Sequence, residues 1–142
     1  MPDFTEVSRK NFLKLASASG LAIGLRSVPT LAAQPIASRK IPKTGVPMPV
    51  IGVGTARVFD ISPTDEADMA IREKVLNILF NGGGKMVDTA PSYGLAEDAV
   101  GVLFERMKAR DKAFLATKVR TTGEAEGIAE MEESFKYLRT DK

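Results

Sequence analysis

The stretch that decides the fold is KMVDTAPSYG, residues 85–94. It begins as a short apolar strand pattern ending at Asp88 and runs through turn-forming residues to Tyr93. Because Asp, Pro, Ser and Gly build ordinary turns, the simplest interpretation is a turn alone. Residues 95–110, LAEDAVGVLFERMKAR, follow with apolar side chains at helical spacing. The apolar positions of this predicted helix are Val100, Leu103, Phe104 and Met107. The segment therefore predicts a strand, a loop and a helix in succession.

The same order of strand and helix occurs on both sides of that segment. Upstream, VIGVGTARVF at residues 50–59 predicts a strand, and a serine and proline at 62–63 predict the start of a helix that ends at glycines 82–84. Downstream, AFLATKV at residues 113–119 predicts a third strand, and residues 127–140 show a third helical pattern. The faces expected to be buried are Ile71, Val75, Ile78 and Leu79 in the first helix and Ile128, Met131, Phe135 and Leu138 in the third.

This alternation favours a parallel sheet with helices packed outside it, for which two architectures are available. An open doubly wound sheet usually carries a glycine-rich dinucleotide turn after its first strand, but GVGTAR at residues 52–57 lacks the third glycine. NGGGK at residues 81–85 lacks the Ser or Thr of a phosphate-binding loop and precedes a strand, so it is interpreted as the end of a helix. In the alternative, a closed eight-stranded barrel, residues at the C-terminal ends of the strands face the active site.

Residues that could take part in catalysis or binding lie at the C-terminal end of each predicted strand. Gly54 and Thr55 end the first strand, Asp88 the second and Lys118 the third, while Tyr93 lies on the loop after the second. An ammonium beside a tyrosine lowers the pKa of the phenol, and a carboxylate can hold that ammonium by a salt bridge. The set thus predicts a tyrosine that donates a proton to a substrate oxygen as negative charge develops there. Ordinary polarity at a barrel rim explains the same residues equally well.

The composition of the 142-residue chain argues against several other functions. The net charge is +2, lysine and arginine are scattered, and aromatic residues make up 6%, so we expect no nucleic-acid binding. There are no cysteines and no histidines, which removes thiolate sites, cysteine nucleophiles and the commonest metal ligand. We therefore expect no metal site, and acid–base chemistry must use Asp, Glu, Lys or Tyr.

Residues 1–33 have the pattern of an export signal. A charged start carrying Arg9 and Lys10 precedes the apolar LASASGLAIGL at residues 15–25, which is far too short to span a bilayer, and small residues follow. SRKNFLK at residues 8–14 is similar to the twin-arginine export motif, with Lys10 in place of the second arginine. We expect the twin-arginine machinery as a partner and a periplasmic location in a bacterium, or a cytoplasmic one if the leader does not function. An amphipathic surface helix is the alternative.

Residues 34–49 separate this leader from the strand and helix pattern. They hold four of the chain's eight prolines, which excludes a packed helix, and they predict a linker and a short hairpin around Thr44 and Gly45. The chain is therefore divided into a leader at residues 1–33, the linker and hairpin, and an α/β part at residues 50–142.

The α/β part resembles the aldo/keto reductase family, and with its leader the chain is similar to the exported bacterial members. The resemblance is carried, in family order, by PVIGVGTARVFD, VDTAPSYGLAEDAVG, FLATKV and EAEGIAEMEESFKYLRTDK, and it covers residues 41–142. It implies an α/β fold of the (β/α)8 TIM-barrel type, of which this chain holds the N-terminal hairpin and the first three β/α units. It also implies NADPH-dependent reduction of a small aldehyde or ketone to an alcohol.

The resemblance assigns roles to residues at the strand ends. Asp88, Tyr93 and Lys118 match three members of the family's catalytic tetrad, in which the tyrosine donates the proton and the lysine and aspartate assist it. Gly54 and Thr55 match the segment that approaches the nicotinamide, and with Asp88 they are the expected cofactor-binding residues.

The expected substrate pocket contains Ala56, Tyr93 and Arg120. Family members often carry a large aromatic residue at the first and last of these positions, so Ala56 implies a smaller wall and Arg120 either an anion partner or a solvated cation. The family's fourth tetrad residue is a histidine after the fourth strand, and the chain contains no histidine. We therefore expect an N-terminal fragment of a longer reading frame that is inactive alone. The alternative is a non-catalytic NADPH-binding or regulatory protein.

Overall fold

A computed structural model describes residues 35–141, so the predicted leader at residues 1–33 lies outside the described residues. The described part contains five strands, three α-helices and one 3₁₀ turn. In chain order these are β1 (Ser38–Lys40), β2 (Pro47–Pro49), β3 (Gly52–Gly54), α1 (Glu66–Asn81), β4 (Met86–Asp88), α2 (Ala96–Met107), the 3₁₀ turn (Arg110–Lys112), β5 (Phe114–Ala116) and α3 (Glu124–Tyr137). None of the helices in this part of the chain is both long and apolar enough to cross a membrane.

The strands form one antiparallel hairpin and one parallel sheet. Strands β1 and β2 pair antiparallel, and the turn between them includes Gly45 at a φ of +70°. Strands β3, β4 and β5 lie side by side in sequence order, all parallel, as the alternation predicts. Their register aligns Gly54 with Asp88 and Asp88 with Ala116, so the C-terminal ends of the three strands lie at one edge.

Helix α1 begins later than the sequence suggests. The predicted start at Ser62 is wrong, because Asp65 is the capping residue and its carboxylate accepts the backbone N–H of Asp68 at 3.0 Å. The hydroxyl of Ser62 instead accepts the N–H of Thr64 at 3.3 Å, within the preceding turn. The expected end at Gly82 is correct. Serine and aspartate are both favourable N-cap residues, but only Asp65 directly precedes the first residue of the helix, Glu66.

The predicted buried face of α1 is also wrong in part. Ile71 and Ile78 are 54% and 74% exposed, and the helix instead buries Met69, Leu76 and Leu79. The buried stripe is hard to recognise because Arg72 occupies one of its positions. Its side chain is 16% exposed, and its Nε donates to the carbonyl oxygen of Val58 at 2.8 Å. A long side chain can cover apolar surface with its stem while its charged head bonds elsewhere, and here that hides the stripe from the sequence pattern.

Helix α2 is the most deeply packed element, and its predicted face is confirmed. Val100 and Leu103 are fully buried, and Phe104 is nearly so and packs its ring against Phe80 of α1 at 6.2 Å between centroids. On the other side α2 approaches α3 so closely that a Cβ at Gly101 would overlap the carbonyl oxygen of Tyr137. The core therefore surrounds α2 and the central strand beneath it, where Val87 is fully buried.

Helix α3 buries only part of its predicted stripe. Leu138, just beyond its end, is buried together with Ser134, whereas Ile128 and Met131 are 46% and 38% exposed. The reason is that α3 packs through its C-terminal half on α2, and within residues 35–141 no further helix follows to cover its first turns. The expectation for Ile128 and Met131 is therefore wrong for the described chain.

Candidate functional site

An ion pair joins the ends of two neighbouring strands. Asp88 is the last residue of β4, and Lys118 lies two residues beyond the end of β5, which stops at Ala116 rather than at the lysine as predicted. The Lys118 Nζ lies 2.8 Å from both carboxylate oxygens of Asp88 and 3.0 Å from the carbonyl oxygen of Thr89. The hydrogen bond to Asp88 raises the pKa of Lys118 above its usual value, against an opposing effect of desolvation. The lysine is therefore held as an ammonium at the strand ends.

Tyr93 lies beside this ion pair. It is half-buried on the loop between β4 and α2, where its ring packs against the hydrophobic core. The Lys118 Nζ lies 5.1 Å from the centroid of the ring, within the range of a cation–π contact. Asp88 makes the largest contribution to the raised pKa of Lys118, and a hydrogen bond with Tyr93 and the charge interaction with it raise that pKa further. The structure therefore brings together the three residues predicted to be catalytic.

The loop that carries Tyr93 is held by a residue that the sequence analysis missed. Asp60, in the loop after β3, accepts the backbone N–H of Leu95 through Oδ1 at 2.9 Å. Gly94 has a φ of +62°, and a Cβ at that position would overlap the Asp60 carboxylate. Asp60 and Leu95 are 35 residues apart, so no local spacing pattern could have identified the contact. The first β/α unit therefore fixes the loop of the second.

A second carboxylate missed by the sequence analysis lies beneath the site. Glu97, in the first turn of α2, is only 3% exposed. Its Oε1 accepts a hydrogen bond from the Thr117 hydroxyl at 2.6 Å, and its Oε2 accepts one from the Ser134 hydroxyl at 3.1 Å. In the sequence it is one of several acidic residues near a helix start, which usually indicates a solvated face. Only the contacts of α2 with α3 and with the segment after β5 reveal that it is buried.

The expected cofactor-binding residues lie at the same edge of the sheet. Thr55 is fully buried, and its backbone N–H donates to the carbonyl oxygen of Asp88 at 3.0 Å. Its hydroxyl has no hydrogen-bond partner among residues 35–141, and the same holds for the buried hydroxyl of Thr89. Buried polar groups normally have partners, so two such hydroxyls beside Asp88 suit a polar ligand at the strand ends. At Gly54 a Cβ would meet nothing within 4 Å, which shows open space at the end of β3.

The two remaining pocket candidates lie on exposed loops. Ala56 is exposed and follows Thr55. Arg120 is also exposed, and its backbone N–H donates to the Glu130 carboxylate at 2.6 Å, as does that of Thr121 at 3.1 Å. These two backbone donors lower the pKa of Glu130 below its usual value. Within the described residues, no hydrogen bond or ion pair links Ala56 or Arg120 to the ion pair or to the tyrosine.

Comparisons with known proteins agree on one family. The model of the aldo/keto reductase family matches residues 50–142. A solved structure of a putative aldo-keto reductase from Pseudomonas aeruginosa is 22% identical, covers 80% of this chain and 48% of its own, and superposes with a TM-score of 0.64. An aldo-keto reductase from Klebsiella pneumoniae in complex with NADPH is 25% identical over 75% of this chain and 37% of its own, with a TM-score of 0.58.

A third structure contains a small ligand as well as the cofactor. An aldo/keto reductase from Klebsiella pneumoniae, in complex with NADP and acetate, is 27% identical over 68% of this chain and 34% of its own, with a TM-score of 0.57. The chain therefore spans less than half the length of each of these three solved chains. No curated protein matches it. The superpositions confirm the predicted fold, with this chain corresponding to part of a TIM barrel.

Proposed function

Because the chain belongs to the aldo/keto reductase family, we propose that the protein reduces an aldehyde or ketone to an alcohol with NADPH. The observation that carries the proposal is the position of the Lys118 ammonium, which bonds to Asp88 on one side and lies over the Tyr93 ring on the other. These are the residue types that proton donation to a developing alkoxide requires. The oxidoreductase class is that of the family, and the roles proposed for the three residues are those that the resemblance implies.

In this mechanism Tyr93 is the proton donor. When bound, NADPH supplies a hydride to the carbonyl carbon, so that negative charge develops on the carbonyl oxygen. The Tyr93 hydroxyl gives its proton to that oxygen, which yields the alcohol and leaves a phenolate. The Lys118 ammonium stabilises the phenolate by its charge, and Asp88 keeps the ammonium in place. The reverse sequence of steps oxidises an alcohol.

Gly54, Thr55 and Asp88 are the residues that would hold the nicotinamide half of the cofactor. The open space at Gly54 and the unpartnered hydroxyl of Thr55 fit such a group, and solved relatives were crystallised with NADP or NADPH. Ala56, Tyr93 and Arg120 would line the substrate pocket. The small side chain of Ala56 would leave more room than the large aromatic residue that is frequent at this position, and the charge of Arg120 would accept an anionic group of the substrate.

The test is NADPH oxidation by the full-length protein, followed by absorbance with small aldehydes and quinones. We expect Tyr93→Phe to lower kcat by about 10²–10⁴-fold, because it removes the donated proton and little else. The matched control is Tyr137→Phe, since Tyr137 is 46% exposed and donates its hydroxyl to Glu133 on α3. A Tyr93→Phe variant as active as Tyr137→Phe would show that Tyr93 is not the donor.

A second candidate is a protein that binds NADPH without turning over a substrate. The resemblance implies a tetrad that includes a histidine after the fourth strand, and the second candidate depends on that histidine being absent from the full-length protein. Binding of NADPH is measured by the change in its fluorescence, in the same preparations used for turnover. Tight binding without reduction of any carbonyl compound would support the second candidate, whereas turnover would exclude it.

We also propose that the protein is exported in folded form by the twin-arginine route. The support is the SRKNFLK motif at residues 8–14. Residues 1–40 are fused to a reporter that fluoresces only when exported folded, and Arg9→Ala is compared with Lys10→Arg. We expect Arg9→Ala to abolish the signal and Lys10→Arg to preserve or raise it. A signal that does not depend on Arg9 would count against this route.

A further inference from the structure

Glu97 is a buried carboxylate for which the proposed mechanism has no use. It is 3% exposed and lies four residues after Tyr93, in the first turn of α2. Burying a carboxylate is costly unless the charge is compensated by hydrogen bonds. Among residues 35–141, each carboxylate oxygen of Glu97 accepts a hydrogen bond from one hydroxyl, Oε1 from Thr117 and Oε2 from Ser134. A side chain this costly to bury needs a reason beyond filling space.

The contact with Thr117 supplies that reason. The parallel ladder of β5 ends at Ala116, so strand pairing does not fix the backbone that follows. Thr117 is the next residue, and Lys118 comes directly after it. The 2.6 Å hydrogen bond from Thr117 to Glu97 therefore ties this short segment to helix α2.

We propose that Glu97 is a positioning residue, which anchors Thr117 and thereby holds the Lys118 ammonium between Asp88 and Tyr93. The proposal rests on the proposed reductase function. Glu97 belongs to the helix that continues directly from the Tyr93 loop. One buried carboxylate thus couples the element that carries the proton donor to the segment that carries the cation.

The two hydroxyl partners of Glu97 lie on different elements, and this provides a matched comparison. Thr117 lies beside Lys118, while Ser134 lies on α3, away from the strand ends. Thr117→Val and Ser134→Ala each remove one hydrogen bond to Glu97 without removing its charge. If Glu97 has a purely structural role, Thr117→Val and Ser134→Ala should affect the pKa of Lys118 equally. If Glu97 is a positioning residue, only Thr117→Val should affect it.

The first readout is the pKa of Lys118, measured by NMR of its Nζ without cofactor or substrate. The charged or titratable groups that face this ammonium are Asp88 and Tyr93. Asp98, Glu130, Glu133 and Tyr137 line the same cavity as Glu97. We expect Thr117→Val to shift the Lys118 pKa back toward its ordinary value, because the ion pair with Asp88 loosens, and Ser134→Ala to leave it unchanged.

The second readout is turnover of the full-length protein. We expect Thr117→Val to lower kcat by about 10- to 100-fold with KM little changed, because a small displacement of a catalytic group is costly. Thr117→Ser, which restores the hydroxyl, should recover most of the rate, and Ser134→Ala should retain it. If the wild type shows no turnover, the reductase function fails while the NMR comparison still tests the anchor. Equal Lys118 pKa values in Thr117→Val and Ser134→Ala would overturn the proposal.

Discussion

The central β/α unit and the two outer ones are built from similar patterns but packed differently. Helix α2 of the central unit has neighbours on both sides, and its apolar residues Val100 and Leu103 are fully buried. In the outer helices, Ile78 of α1 and Ile128 of α3 are 74% and 46% exposed. An apolar stripe therefore indicates which side chains can be buried, whereas the elements on each side of a helix decide which ones are.

The same contrast applies to the site. The central unit supplies Asp88 and Tyr93, and each outer unit contributes a side chain that reaches inward to them. Lys118 comes from the third unit and bonds to Asp88, while Asp60 comes from the first and bonds to Leu95 beside the tyrosine. The outer units thus position Asp88 and the loop of Tyr93, which both belong to the central unit.

The largest effect is expected on the free energy of unfolding, when a buried apolar residue of the central helix α2 is compared with an exposed one of the outer helix α1. Leu103→Ala should lower the free energy of unfolding by about 2–5 kcal/mol, because it leaves a cavity in a fully buried position. Ile78→Ala should change it by about 0.5 kcal/mol or less, since the side chain is already in solvent. Urea denaturation measures both. A loss of about 2 kcal/mol or more for Ile78→Ala would show that this face of α1 is covered in the protein.

The next largest effect is expected on stability when two helical glycines are replaced by alanine. Gly101→Ala in α2 should destabilise the protein by about 1–3 kcal/mol, because the new methyl group overlaps the Tyr137 carbonyl oxygen. Gly127→Ala in α3 is the control, since its methyl would meet Val119 at an ordinary 3.4 Å. There the higher helix propensity of alanine should stabilise by up to about 1 kcal/mol. In thermal denaturation we expect the melting temperature to fall for Gly101→Ala and to rise for Gly127→Ala. Changes of the same sign would contradict the difference in packing between the two helices.

A smaller effect tests the link from the first unit to the Tyr93 loop. Asp60→Ala should cost about 1 kcal/mol, because the Leu95 N–H loses its acceptor. Asp60→Asn keeps an acceptor oxygen at the same place and serves as the control. Hydrogen exchange of the Leu95 amide reports the contact directly. Exchange that is equally slow in both variants would mean that the loop is held by other contacts.

The smallest effect concerns the exposed ion pair between α1 and α2. Both Arg106 terminal nitrogens bond to the Glu66 carboxylate at 2.7 Å, and this lowers the pKa of Glu66 from its ordinary 4.5. A lowered folded-state pKa stabilises the fold above the ordinary value and loses that contribution as the pH falls through the folded value. We expect Glu66→Gln to be slightly less stable than the wild type at pH 7, with equal melting temperatures well below pH 4.5. A difference that persists in acid would require another cause.

The parts predicted from the sequence are those set by local or periodic signals. The parallel sheet followed from the alternation, and the pairing of Asp88 with Lys118 followed because parallel strands end at one edge. What could not be predicted depends on packing between distant segments. Asp60 and Glu97 meet partners on other elements, and Arg72 occupies a stripe position that an apolar residue would have marked.

The close contact between Gly101 and Tyr137 has a consequence for biosynthesis. The groups of the candidate site are translated by the time Lys118 is added, but the segment that covers α2 comes later. At about 5–20 residues per second, the ribosome needs on the order of seconds to reach Tyr137. During that interval α2 has a vacant flank, and Glu97 lacks its Ser134 hydroxyl. A nascent chain therefore contains Asp88, Tyr93 and Lys118 before α3 can complete the packing around Glu97, so the order of synthesis places the candidate site ahead of one of its supports.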